Sequence, residues 1–265
     1  MSTEKTEAEI LKHKDKSIEI LNHFLSALVK RDKKKADLLS YWLHTYVNYL
    51  KFEEVFQPSR NKKYERGDIV RVNLGFNIGS EHGGLHYAMV LDNNNEKNSP
   101  VITIIPLSSS DGTNVHRTEV YLGDDIYLKL NNKISGMLLA YKTELKEIET
   151  IHDMVSSTLS TLEKNMDSFS TDEFLKQSNM AASSLEVLEA KQKSINQKKA
   201  DLQVALKEVS KMKRGSIALV GQITTISKIR IEDPRNTHGV LNGIKLSPTN
   251  LDNINKKIKS LFLYE

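Results

Sequence analysis

Two histidines, His82 and His86, stand on either side of Gly83-Gly84, and Glu81 comes directly before them. Imidazole, with an unperturbed pKa of about 6.5, can take or give a proton near neutral pH. Glycines permit positive φ and let a backbone come close to a phosphate. Glu81 to Gly84, with Gly79, therefore reads as a mobile polar loop, and an ordinary hairpin connection would look the same. A histidine so soon after two glycines is poor core material beside Ile69, Val72 and Leu74; the plainer alternative is a half-buried strand residue. Ser108-Ser109-Ser110 ends an apolar run and offers hydroxyl donors. The chain has no cysteine, which excludes a disulfide framework, a cysteine-based zinc site and a cysteine nucleophile.

These residues fall in a stretch of strand-like texture. Ile69 to Leu74, His86 to Leu91, Val101 to Leu107 and Thr118 to Leu122 read as strands, separated by Gly, Asn, Ser and Pro. Before them, apolar residues at helical spacing predict two amphipathic helices joined near the charge run Lys30 to Lys35, itself read as a solvated turn. After them, Leu138, Leu145, His152, Leu159 and Met166 recur every seven residues, and so do Tyr141, Ile148, Val155, Leu162 and Phe169. The pattern predicts a heptad seam. Ser170-x-x-Glu173 is a capping box for a second helix, with Phe174, Ala181, Leu188, Ile195, Leu202 and Val209 again seven apart. The pair should fold back as an antiparallel coiled-coil hairpin, with His152 fixing register in the seam. β-branched texture returns at Ser216 to Val220 and Ile223 to Ile226, and a last helix starts near Leu246. The expected layout is an N-terminal helical extension (1–60), a β module in two parts (61–133 and 214–265) and an inserted hairpin (134–213).

At 265 residues and 38% hydrophobic, the chain can bury a sizeable core in one or two domains. Its net charge of +4 is compatible with nucleic acid without pointing to it. With no apolar leader and no run of about 18 apolar residues, a cytoplasmic protein with no membrane partner is expected.

Arg66-Gly67-Asp68-Ile69-Val70, followed by Gly79-Ser80-Glu81-His82-Gly83-Gly84-Leu85-His86 and an apolar strand, resembles the opening of the MazF/PemK family of toxin endoribonucleases. Ser99 to Ser109 resembles the family's third strand, Thr118 to Leu122 its next, and Gly215 to Lys228, with Gln222-Ile223-x-Thr225-Ile226-x-Lys228, a late one. The resemblance covers 64–122 and 214–265. It implies an α+β fold: a small SH3-like, MazF-like antiparallel β-barrel with a C-terminal helix, in a homodimer. It also implies cleavage of single-stranded RNA with no metal or other cofactor, restraint by a cognate antitoxin, and operator DNA bound together with that antitoxin.

Such cleavage needs a base for the ribose 2′-hydroxyl, a donor or charge for the phosphate oxygens, and an acid for the leaving 5′-oxygen. Where the family places an Arg shortly after the Gly-Gly, this chain has His86, and the Thr or Ser at the end of the third strand is Ser108. A guanidinium stays charged and clamps, whereas an imidazole moves protons. His86 is therefore expected to transfer the proton and Ser108 to hydrogen-bond the scissile phosphate, with His82 as a possible second imidazole. Arg66, Glu81, His82, Gly83, Gly84, Gln222 and Lys228 are the expected RNA contacts. The alternative is a non-catalytic binding toxin or nucleic-acid-binding regulator of the same fold, such as a topoisomerase poison, in which loss of the Arg marks loss of cleavage.

Overall fold

A computed structural model of the chain describes residues 5–165 and 168–264. Helices α1 (Glu7–Arg31) and α2 (Lys33–Glu53) come first. Thr6 Oγ1 accepts from Glu9 N and the Glu9 carboxylate accepts from Thr6 N, satisfying amides that a helix start leaves free. The turn expected at the lysine-rich run narrows to Asp32, which ends α1 and caps α2 by accepting from Lys35 N.

Six strands follow: β1 (Tyr64–Glu65), β2 (Ile69–Asn73), β3 (Leu85–Val90), β4 (Asn94–Asn95), β5 (Val101–Ser109) and β6 (Val120–Gly123). Two long helices, α3 (Asp125–Lys164) and α4 (Thr171–Lys211), separate these from β7 (Ser216–Ala218), β8 (Thr224–Ser227), β9 (Ile231–Asp233) and α5 (Pro248–Phe262). The class is α+β. The main sheet is antiparallel, ordered β6-β7-β5-β3-β2-β9, with β8 also on β5; β1 and β4 form a separate ribbon. Among the described residues, no helix is long and apolar enough to cross a membrane.

Both faces of the sheet are covered, which is why its strands read as apolar runs rather than clean alternations. Ile69, Met89, Ile105 and Leu107 pack with Ile126 and Leu130 of α3, Leu202 and Ala205 of α4, and Ile254 of α5. Val70, Val72, Ala88, Val90, Ile102 and Ile104 point the other way, onto Tyr64, Ile226 and Ile231.

Strand β5 organises the centre. It pairs with β3 along one side, while along the other its start pairs with β8 and its last three residues with β7. The partner changes at Pro106, whose carbonyl accepts from Leu219 N (2.9 Å). Proline has no N–H to return that bond. The tight turn Val220–Gln222 fills the change-over between β7 and β8.

The helical hairpin leaves after β6 and returns to β7, and these two strands pair with each other. The Ser170–Glu173 box caps α4 as read. Helix α3, however, starts at Asp125 rather than near Ile134, because Ile126, Leu130 and Ile134, four apart, form one stripe buried in the sheet core. The expected double seam also needs correction. Ile148, Val155 and Leu162 of α3 are buried, as are Ala181 and Ile195 of α4, while Leu145 and Leu159 are 38% and 42% exposed. His152 is an exposed surface residue, not a seam residue. The second stripe of the seam is instead Met137, Glu144, Ile151 and Thr158, half-buried and one residue before the stripe read from the sequence. Met166 lies outside the described residues.

Candidate functional site

The connection between β2 and β3 carries the two histidines, and its ends are tied. Leu74 N donates to Gly84 O (2.8 Å) and Gly84 N to Gly75 O (2.7 Å). Gly84 has φ +91°, in the left-handed region that favours glycine. At Gly83 a Cβ would lie 2.8 Å from Gly75 O, so the close return of the loop excludes any side chain there. Glu81 closes the loop tip: its carboxylate accepts from Ile78 N (3.3 Å), and its own N–H donates to Ile78 O (3.2 Å).

Gln222, from the turn between β7 and β8, clamps this loop from across the sheet. Its Oε1 accepts from His82 N (2.6 Å), and its Nε2 donates to Ser80 O (3.3 Å). Helix α2 braces the other side, with Trp42 against Gly75 and beneath the Arg230 guanidinium, 5.7 Å from the ring centroid. What the sequence left as a mobile loop is thus held at both flanks.

With the loop so held, the rings of His82 and His86 lie 3.9 Å apart between centroids, their planes tilted by 52°. Burial pushes both imidazoles below the ordinary histidine range; proximity to His86 lowers His82 further, and the Leu107 and Gly83 backbones partly offset the two shifts. Both are therefore neutral at pH 7 and able to accept a proton. Nε2 of His82 is buried and has no hydrogen-bond partner among the described residues.

Ser108 meets His86 through strand register. The β3–β5 ladder runs from Val90 opposite Ile104 to Ala88 opposite Pro106. Carrying it on by two residues sets His86 across from Ser108. Beyond Ala88 no ladder joins the strands, and a cleft of about 210 Å³ opens there, lined by His86, Ser108, Ser109 and Ser216. His82 faces a second, larger hollow of about 670 Å³, lined also by Glu81, Gln222, Thr225 and Arg230. The imidazole pair stands between the two.

Two expected RNA contacts are placed elsewhere. Arg66 donates to Leu91 O, at the far end of β3 from His86, and to Asn255 of α5, so its guanidinium ties helix to sheet. Lys228 is 1% exposed; its Nζ donates to Glu96 O (2.8 Å) and Lys97 O (3.4 Å). A lysine buried to satisfy backbone carbonyls cannot also track a phosphate at the surface. Arg230 does line the larger hollow, although its Nη1 also donates to Leu74 O (3.2 Å).

The sequence reading missed the contribution of α4. Glu208, buried near its end, accepts from Arg71 of β2 (2.5 Å) and from the hydroxyl of Tyr87 (2.7 Å), the residue after His86. Burial, then Glu208, pushes the Tyr87 phenol well above its usual range, so it stays a donor. Lys211 and Lys213 also line the His86–Ser108 cleft. A basic cluster, Lys211 to Arg214, was visible just before β7, but nothing local to it pointed at a histidine 125 residues earlier.

Residues 65–153 match the family model described as PemK-like, MazF-like toxin of type II toxin-antitoxin system. The match opens beside Arg66, takes in the histidine loop and β5, and ends within α3. No curated protein matches the chain. The stretch holding both histidines and Ser108 is thus the matched one, and it is this stretch that is similar to the PemK-like, MazF-like toxins of type II toxin–antitoxin systems.

Proposed function

We propose that this protein is a metal-independent endoribonuclease that cuts single-stranded RNA by attack of the ribose 2′-hydroxyl, and that a cognate antitoxin restrains it. The observation that carries this reading is the pair of half-buried, neutral imidazoles beside a cleft shared with Ser108. A neutral imidazole shielded from water suits a general base, a role worth roughly 10²- to 10⁴-fold in rate. His86 takes the 2′-hydroxyl proton and Ser108 Oγ donates to the scissile phosphate. His82, whose Nε2 is unpartnered, serves as the second proton-transfer group. Glu81, Gly83, Gly84 and Gln222 hold the loop, and the hollow beside His82 receives the flanking nucleotides.

The same reading expects a homodimer acting in the cytoplasm, and operator DNA bound with the antitoxin. It also treats 61–133 and 214–265 as one β module, split by the hairpin of 134–213 and preceded by the helical extension of 1–60.

The test is cleavage of a long single-stranded RNA in EDTA. Products should carry a 5′-hydroxyl and a 2′,3′-cyclic phosphate, and His86→Ala should lose most of the activity. A substrate with a 2′-deoxy residue at the cut site should be inert. Equal cutting of that substrate would refute 2′-hydroxyl attack, and no cutting of RNA by the wild-type protein would favour the non-catalytic binding alternative.

A further inference from the structure

The His86–Ser108 cleft carries cations that the reading above leaves unused. As an RNA cut proceeds, negative charge builds on the phosphate oxygens and needs a positive partner. The imidazole lining this cleft is held neutral at pH 7 by burial, and Ser108, Ser109 and Ser216 offer only hydroxyls. Its fixed positive charge, among the described residues, comes from Lys211 and Lys213.

These two lysines differ from their neighbour. Arg214 is committed to Asp124 (3.4 Å) and lies over the Tyr127 ring, 5.4 Å from its centroid. Lys211 and Lys213 are exposed, and among the described residues neither ammonium has an ion-pair or hydrogen-bond partner. Their backbone is nonetheless fixed. Between them Met212 packs on the sheet core, and its N–H donates to Val209 O (3.0 Å). One turn earlier, Glu208 is pinned to Arg71 and Tyr87. The end of α4 is thus a rigid mount for two free ammonium groups at the mouth of the cleft. Lysine on such a mount is a point charge suited to a phosphate.

We infer that Lys211 and Lys213 form the phosphate-binding arm of the RNA site, so that the end of the inserted helical hairpin is part of that site. This rests on the endoribonuclease reading. A plainer role exists for Lys211 alone: a cation in a last helical turn offsets the helix dipole by roughly 0.3–1 kcal/mol. That role does not extend to Lys213, which lies beyond the helix end, and it predicts no change in RNA binding.

The experiment compares the full-length wild type, Lys211→Ala/Lys213→Ala and Lys211→Arg/Lys213→Arg. The probe is a fully 2′-O-methylated single-stranded oligonucleotide, which cannot be cut by 2′-hydroxyl attack. Affinity is measured against salt, cleavage of unmodified RNA in parallel, and melting temperature as a control. Because the alanine variant can no longer neutralise two phosphates, its log–log salt slope should flatten by about 1.4, and its affinity at about 0.1 M salt should fall roughly 10- to 30-fold. Cleavage should fall with it, melting should be unchanged, and the arginine variant should restore both slope and cleavage.

If the wild type cuts RNA and the alanine variant binds and cuts like it, the inference is wrong while the endoribonuclease reading stands. A loss that comes with lowered melting and is not restored by arginine would assign the lysines a structural role and overturn the inference. If the wild type neither binds the probe nor cuts RNA, both readings fall together.

Discussion

Replacing Glu208 tests whether the helical hairpin is locked to the sheet through a buried charge. Glu208 sits near the end of α4 with its side chain 9% exposed; its two oxygens accept from Arg71 Nη1 and Tyr87 Oη. Glu208→Ala strands both donors. Among the described residues, Nε of Arg71 is already buried without a partner and Glu208 is the guanidinium's one ion-pair partner, which it would lose. Breaking a buried pair by removing one member costs about 3–5 kcal/mol. Because the Arg71 side chain is 28% exposed and can recruit water, the lower end applies, about 3 kcal/mol. For a chain of this size that is a fall in melting temperature of about 6–12 °C. Tyr87→Phe removes a single bond to a charged acceptor and should cost about 1.5–3 kcal/mol. The decisive variant is Arg71→Met/Glu208→Leu, which removes both charges and fills the space; replacing a buried pair this way is close to neutral. Thermal and urea unfolding of the four proteins measure the set. If Glu208→Ala melts within about 1 °C of wild type, the contact is not a buried lock. If the apolar double variant falls as far as Glu208→Ala, poorer packing rather than a stranded charge is the cause.

Three further outcomes follow from particular residues. The folded His82 and His86 refuse protons that the unfolded imidazoles bind below about pH 6.5. Stability should thus be lost as pH falls from there through their lowered folded-state pKa, and a His82→Asn/His86→Asn variant titrated by urea unfolding should lose that part of the slope. In the hairpin, Ile148→Ala should cost about 2–5 kcal/mol and Leu145→Ala about 1 kcal/mol or less, because the first is 8% and the second 38% exposed; equal costs would return Leu145 to the seam. Lys228→Met should lower the melting temperature by stranding the Glu96 and Lys97 carbonyls while leaving the salt slope of RNA binding unchanged, and a flattened slope would return Lys228 to the RNA surface.

What the sequence made legible was what depends on near neighbours. The Ser170–Glu173 box needs only a hydroxyl and a carboxylate three residues apart, and it is where it was read. The six strands read from the sequence lie within a residue or two of their expected limits, since apolar runs bounded by turn residues have few other ways to be buried, whereas the short β1, β4 and β9, of two or three residues each, gave no such run and were missed. Period seven, by contrast, could not place the second stripe of the seam: Leu138, Leu145 and Leu159 are the apolar choice beside Ile148, Val155 and Leu162, but the half-buried stripe is Glu144, Ile151 and Thr158, which polar residues hide. The choice is made across the hairpin, where Lys191 reaches Glu147 and Lys198 reaches Glu144. Lys228 was misplaced for the same reason: the carbonyls that bury its ammonium belong to residues more than 130 positions away.

The candidate site divides along this line. His82, His86 and Ser108 could be singled out because each lies in a short motif, but their meeting depends on a strand register that the motifs do not contain. Lys211, Lys213 and Glu208 had no such motif; the two lysines reach the cleft, and Glu208 reaches Tyr87 beside it, because β6 and β7 are neighbours, so that a hairpin of more than 80 residues must return beside the strand where it left. An insertion at that place in the sheet is constrained at its base even where its length and tip are free. The residues at that base then become available to the site, whatever the rest of the hairpin does.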